Sequence, residues 1–362
     1  MKILDKYILK KYLSSLILIL GLLLPIAIAI NVSEKIDKFL RHDDLGIGEI
    51  IQDYYVNFIV IFGNTFLPLA LFIAVIFFTS KLASNTEIIA IHSAKLSFTR
   101  FLKPYFVGAT IVTLFALAMN HFVVPKSNKV FNEFERTYLK KKKYNQNLLL
   151  NVNLQLTDST YIFIKQYHTE RDMGYDFSFE KFEGNKLKQK LMASSIRWDK
   201  QDTLFKLSNY RRRTILASKD IIETGSNLDT LFDFSPDDLV NVDYKAKEMN
   251  SIELAKFINK SEKRGISNLN TYLVEFHKRT SLPVSSYILT FIAVALSSRK
   301  KRGGMGVNLA IGISLMFLYV FFLKIAEVLG AGAETNSLFM VWLPNLIFGA
   351  LAIYLFFKNA RN

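Results

Sequence analysis

Cysteine is absent from the chain. Its absence excludes disulfides, thiolate metal sites and cysteine nucleophiles. Histidine is scarce: His42, His92, His121, His168 and His277 are the whole supply. None of them forms a paired metal spacing such as His-Glu-x-x-His. A Gly-x-Ser-x-Gly nucleophile elbow is missing, and so is a Walker A loop. The glycines of Gly303-Gly-Met-Gly-Val-Asn are not followed by the Lys-Ser/Thr pair that holds phosphate and magnesium. The sequence therefore predicts no catalytic residue, no metal site and no bound cofactor. Any ATP and Mg chemistry linked to this protein is expected in another chain.

Net charge is +15, which can serve nucleic acid or an anionic membrane surface. No zinc-finger spacing or RNA-binding signature accompanies it, and much of the charge flanks hydrophobic runs. Nucleic acid is thus not an expected partner. The basic stretch Met1 to Lys11 leads into the first apolar run with no small-residue cleavage site after it, so it reads as an anchor.

What the sequence does have is uncharged length at both ends. A bilayer core of about 30 Å takes roughly 20 helical residues at about 1.5 Å each. Six runs approach this: Leu13–Val32, Tyr55–Thr79, Phe101–Val124, Leu282–Ser297, Val307–Ala326 and Leu338–Phe357. The fourth is short and is expected to continue a helix that begins near Tyr272. Lys2, Lys6, Lys10 and Lys11 precede the first run. Lys81, Lys95, Arg100 and Lys103 separate the second and third. Arg299 to Arg302 separate the fourth and fifth, and Lys358 and Arg361 follow the sixth. With six spans all four basic segments fall on one side, which is predicted to be cytoplasmic, as are both termini. The acid-rich loop with Glu34, Asp37, Asp43, Asp44, Glu49 and Asp53 falls opposite.

The intervening segment reads as β structure. Tyr161-Ile-Phe-Ile-Lys, Asp176-Phe-Ser-Phe-Glu-Lys-Phe, Lys186-Leu-Lys-Gln-Lys-Leu, Ser195-Ile-Arg-Trp and Thr203-Leu-Phe-Lys-Leu alternate or run like strands. Glu183-Gly-Asn and Asp199-Lys-Gln-Asp supply turns between them. Strands at roughly 10-residue spacing suggest an antiparallel sandwich or jelly roll. Met249-Asn-Ser-Ile-Glu-Leu-Ala-Lys-Phe-Ile returns to helical periodicity. The predicted fold class is an α-helical polytopic membrane protein, three spans plus three, with a β-rich, jelly-roll-like domain inserted between the third and fourth. The predicted segments are 1–124 for the first three spans, 125–271 for the inserted domain and 272–362 for the last three spans.

Four local patterns carry candidate function. Ser84 and Glu87 fit a capping box for a short helix over about 84–96, between spans two and three. Such a helix, lying along the membrane, is also what a soluble motor would push against. Lys35, Lys38 and Arg41 recur at three-residue steps, near one helical face beyond span one. They suit either of two roles: ion pairs with Glu34 and Asp37, or a cationic collar for the phosphates of an anionic lipid. Lys324 and Glu327 lie one turn apart near the outer end of span five, as a pair inside the membrane or as snorkelling side chains. Lys140–Lys143 reads as solvated surface. Pro25, Pro68 and Gly63 are expected to bend spans.

The whole pattern resembles the LptF/LptG permease family, membrane subunits of the ABC exporter that transports lipopolysaccharide. The likeness rests on Glu87 to Ser97, Phe234-Ser-Pro-Asp-Asp-Leu, Met249-Asn-Ser-Ile-Glu-Leu and Arg264-Gly. It continues in Glu275-Phe-His-Lys-Arg-Thr-Ser-Leu-Pro283, Arg302-Gly-Gly-Met-Gly and Trp342-Leu-Pro-Asn345. In order and spacing these cover essentially the whole chain. The resemblance implies an inner-membrane subunit of a Gram-negative bacterium with its β domain in the periplasm. It also implies a paralogous permease partner, a dimeric cytosolic ATPase, LptB, and a single-span periplasmic bridge protein like LptC. Glu87, Ile88, Ile91 and His92 would then belong to the coupling helix seated in the ATPase. Lys35, Lys38 and Arg41 would contact lipid A phosphates. Two rival expectations need no motor: a membrane scaffold or sensor with a ligand-binding β domain, and a membrane-embedded lipid-modifying enzyme.

Overall fold

A computed structural model of the chain describes every residue except 1–2, 43–44, 140–147, 158, 185, 201, 217–218, 240–242, 264–268, 299–303, 333–334 and 361–362. Six helices among the described residues are long and apolar enough to cross a membrane: α1 (Ile3–Phe39), α2 (Ile47–Ser84), α4 (Phe98–Leu139), α8 (Leu269–Ser297), α9 (Gly304–Gly330) and α10 (Ser337–Lys358). A short helix, α3 (Glu87–Ser93), lies between α2 and α4. Three more short helices, α5 (Pro236–Leu239), α6 (Asp243–Glu248) and α7 (Ser251–Lys263), precede α8. Each span runs beyond its apolar stretch because polar residues at the ends continue the backbone ladder outside the hydrocarbon. The fourth does so by starting at Leu269, three residues before Tyr272. Pro25 and Pro68 lie inside α1 and α2.

The chain divides into two compact units, one of residues 1–139, 244–254 and 270–362, the other of residues 140–243 and 255–269. In the first, the core is built from the inward faces of the spans. Tyr12, Phe72, Phe101, Tyr105, Leu289 and Tyr319 are all 1% exposed or less. Several buried hydroxyls find partners across helices, which an apolar surround favours. Tyr12 Oη meets Thr290 Oγ1 at 2.9 Å, Thr79 Oγ1 meets Tyr105 Oη at 3.0 Å, and Tyr319 Oη donates to Asn345 Oδ1 at 2.9 Å. A separate aromatic cluster of Phe39, Tyr54 and Phe134 with Leu139 ties the far end of α1 to α2 and α4.

The second unit holds a six-stranded sheet, β1 (Leu148–Thr157), β2 (Thr160–His168), β3 (Met173–Glu183), β4 (Lys186–Asp199), β5 (Leu204–Ile215) and β6 (Asp220–Thr230). Every strand pairs antiparallel with the next, in the order β1-β2-β3-β4-β5-β6. This meander has none of the crossed connections of a full Greek key. Its inner face follows from register: Ile164, Phe177, Ala193 and Tyr210 stand in one cross-strand row, and Ile162, Phe179 and Leu191 in the next. Phe232 and Phe234 cover the row, with Phe234 stacked on Phe205 at 4.4 Å between ring centroids. Gly174 leaves room where Ile164 and Ile196 converge, since a Cβ there would stand 2.7 and 2.9 Å from their methyl groups.

Two details differ from the sequence expectation. Lys186-Leu-Lys-Gln-Lys-Leu and Ser195-Ile-Arg-Trp are parts of one strand, β4. β1 and β6 were not anticipated. β6 is exposed along most of its length, so it lacks the apolar alternation by which a half-buried strand is read.

Candidate functional site

The segment between α2 and α4 is held at several points. Ser84 is the last residue of α2, and among the described residues no bond joins it to Glu87, whose carboxylate bonds to Tyr7 and Asn85 in place of a capping box. Thr86 takes its place, its carbonyl accepting from Ala90 N at 3.0 Å. Thr86 has φ of 63° and Lys95 φ of 58°. These left-handed conformations bracket α3 and turn the chain sharply at both of its ends, at a cost of about 1–3 kcal/mol each for residues with a Cβ. Ser97 then starts α4 by accepting from Arg100 N.

α3 has an inner and an outer side. Ile88 is 3% exposed and packed in the core of the spans, and Ile91 packs beside it. Ile89, 54% exposed, and Ala90 face away. The Glu87 carboxylate accepts from Tyr7 Oη at 3.0 Å and from Asn85 Nδ2 at 3.3 Å. The side chain of His92 lies outside the described residues. Of the residues expected on a motor-facing surface, Ile88 and Ile91 are turned inward by the helical period, and Ile89 is the large apolar side chain left outside. The start of α4 is tied down as well. Arg100 donates to both oxygens of Asp5, at 2.6 and 2.9 Å, and the Asp5 side chain is 4% exposed.

At the far end of α1, Lys35 and Lys38 are half-buried and Arg41 is exposed. Among the described residues neither Glu34–Lys38 nor Asp37–Arg41 closes to an ion pair. Asp43 and Asp44 lie outside the described residues, as does Lys140–Lys143. Sequence spacing brought these cations to one end of one helix, and the structure adds the aromatic cluster that fixes that end.

Lys324 and Glu327 of α9 do meet, at 2.9 Å, and α8 supplies a third member. Lys278 Nζ stands 2.6 Å from the other Glu327 oxygen. The Lys278 side chain is 29% exposed and that of Lys324 67%, so the bond between helices is the better shielded of the two. The neighbouring Arg279, 2% exposed, donates to Ala246 O at 2.9 Å, Met249 O at 2.8 Å and Ser251 Oγ at 3.1 Å. Those acceptors lie at the end of α6 and the start of α7. Asn250 caps α7 in a reciprocal capping box with Glu253, which explains the spacing of Met249-Asn-Ser-Ile-Glu-Leu. Lys278 and Arg279 were not singled out as site residues by sequence reasoning. The available signal was a Glu275-x-x-Lys-Arg cluster entering an apolar span, where charges usually face protein.

In the sheet domain a cavity of about 610 Å³ opens at the β2–β3 and β4–β5 turns, lined by Arg171, Asp172, Arg197, Trp198, Asp199 and Lys200 among others. The sequence marked its lining only as strand and turn, in Ser195-Ile-Arg-Trp and Asp199-Lys-Gln-Asp, and placed no candidate site there. Two of its carboxylates are already paired, Asp172 with Lys200 and Asp199 with Lys206.

The arrangement comprises a short helix with one exposed side, a cation-bearing helix end and ion pairs between spans. A family model for the lipopolysaccharide export system permease LptF/LptG matches residues 6–358. Among curated proteins no significant match is found. Spanning essentially the entire sequence, the family match leaves one assignment: the chain belongs to the LptF/LptG family of lipopolysaccharide export permeases.

Proposed function

We propose that this inner-membrane permease is one of two related subunits of an ABC exporter, moving lipopolysaccharide with energy from ATP hydrolysed elsewhere. In this reading the cytosolic ATPase dimer, LptB, takes up ATP and Mg, and this chain binds no cofactor. Both termini and α3 are cytoplasmic. The sheet domain is periplasmic and hands lipid to a bridge that includes an LptC-like single-span protein. The basic short segments flanking the spans support that orientation.

The observation that carries the reading is the two-sidedness of α3. One side, Ile88 and Ile91, is anchored in the protein's own core, and the other, with Ile89, is free. A helix stapled to its bundle by one face can pass a push from a partner on the other. Glu87 keeps acceptor capacity beyond its two present bonds, so a basic residue of the motor can still engage it. Lys35, Lys38 and Arg41, without ion-pair partners among the described residues, suit lipid A phosphates.

Co-purification tests the coupling role. Glu87→Lys and Ile89→Asp are expected to release the ATPase from the membrane complex and stop export, with the permease still folded. Wild-type assembly and export in both variants would overturn it. A photo-crosslinker at positions 35, 38 and 41 in turn should label lipopolysaccharide before ATP is added and lose the label on hydrolysis. No labelling at any of the three would remove the phosphate-binding role.

A further inference from the structure

We propose that the first two turns of α1 are a clamp that grips both ends of the α3 segment, so that a displacement of α3 is delivered directly to α1. The proposal rests on the coupling role of Glu87 given above. Two independent bonds make the clamp. Tyr7 Oη holds the Glu87 carboxylate at the start of α3. Asp5, its side chain 4% exposed, holds Arg100, 27% exposed, at the start of α4 through two short bonds. Between these points the chain runs through a left-handed turn at Lys95, and a second such turn, at Thr86, stands directly before Glu87.

The pairing is specific in geometry. A planar guanidinium against a carboxylate makes two parallel bonds and resists rotation. A buried carboxylate deprived of that partner is costly, so the pair is not lightly exchanged during a cycle. Asp5 and Tyr7 flank Lys6 in a helix whose next turns are packed: Ile8, Tyr12 and Leu16 are buried, and Tyr12 bonds to Thr290 of α8. Beyond Leu16 no residue of α1 is buried until Phe39. α1 is 37 residues long, about 55 Å at the helical rise, and its far end bears Lys35 and Lys38, with Arg41 in the turn just beyond it. The molecule thus has one continuous element with the motor-side helix bonded to its beginning and the candidate phosphate contacts at its end. Asp5, Tyr7 and Arg100 are positioning residues in this scheme.

The test uses the complete exporter reconstituted in proteoliposomes, reading ATPase association, ATP hydrolysis and lipopolysaccharide extracted per ATP. Arg100→Ala and Asp5→Asn should keep the ATPase bound and hydrolysing, and should lower lipid extracted per ATP several-fold. Tyr7→Phe should do so more mildly. The charge-reversed double variant, Asp5→Arg with Arg100→Asp, should recover part of the loss. This chain has no cysteine of its own, so labelling Ala90→Cys and Ser14→Cys before assembly with the partner subunits gives one spin–spin distance. That distance should stay constant through the ATP cycle in the wild type and broaden in Arg100→Ala. An unchanged extraction ratio in Arg100→Ala, or a wild-type distance that changes with ATP, would overturn the clamp. If instead Glu87→Lys leaves assembly and export intact, the coupling role itself has failed, whatever the clamp variants do.

Discussion

At the scale of single residues, the side chains that matter most are those whose bonds cannot be replaced by water. Arg279 satisfies two backbone carbonyls at the end of α6 from a site that is 2% exposed. Arg279→Ala strands both, and each stranded buried group costs about 1–3 kcal/mol. We expect a loss of about 3 kcal/mol, measured by denaturation in detergent, and little rescue by Arg279→Lys, whose single ammonium cannot span the same acceptors. The ion triad makes a different prediction. Lys324→Ala removes a mostly exposed pair and should cost about 0.5 kcal/mol or less. Lys278→Ala breaks the shielded bond to Glu327 between α8 and α9 and should cost about 2 kcal/mol. Equal effects from the two lysines would show that the bond between helices carries no special weight.

Among elements, α1 and α4 pack tightly where Gly108 meets the ring of Tyr12, since an added Cβ would stand 2.8 Å from Cδ1. The ring has nowhere to go, being fully buried and bonded to Thr290. Gly108→Ala should therefore destabilise by about 1–3 kcal/mol through overpacking. Gly21, with nothing near its Cβ position, should accept alanine without loss. Thermal unfolding of the two variants side by side checks both statements. The inserted sheet follows similar logic, since Gly174→Val would drive methyl groups into Ile164 and Ile196. α3 shows how an element can be legible while its orientation is not. The sequence placed a short helix over about 84–96, but the left-handed turn at Thr86 and the packing of Ile88 decide which side is outward. Neither leaves a mark in a pattern seven residues long.

For the whole molecule, the decisive property is the number of crossings, because an even count puts the basic flanks together. In intact cells a membrane-impermeant maleimide should label Arg171→Cys, in the sheet domain, and should label Ala94→Cys, after α3, only once the inner membrane is opened. The reverse pattern would overturn the orientation and with it the assignment of α3 to a motor. The native absence of cysteine makes each labelled position unambiguous. The proposed clamp depends on the same two-sidedness, since in that scheme a push on one side has to reach the candidate lipid contacts on the other through a spanning element.

Hydrophobic length by itself determined the six spans, because a bilayer asks only for about 20 apolar residues in a row, a property of local sequence. Alternation and turn residues were enough to place the central strands, and the helix that returns from the domain carries its cap in adjacent residues, Asn250 and Glu253. Tertiary structure alone decided that Lys278 completes the Lys324–Glu327 pair, that Arg279 holds the end of α6, and that Asp5 grips Arg100 across 95 residues. Those bonds join residues distant in the chain, and which buried charge meets which is settled only when the helices pack and water leaves.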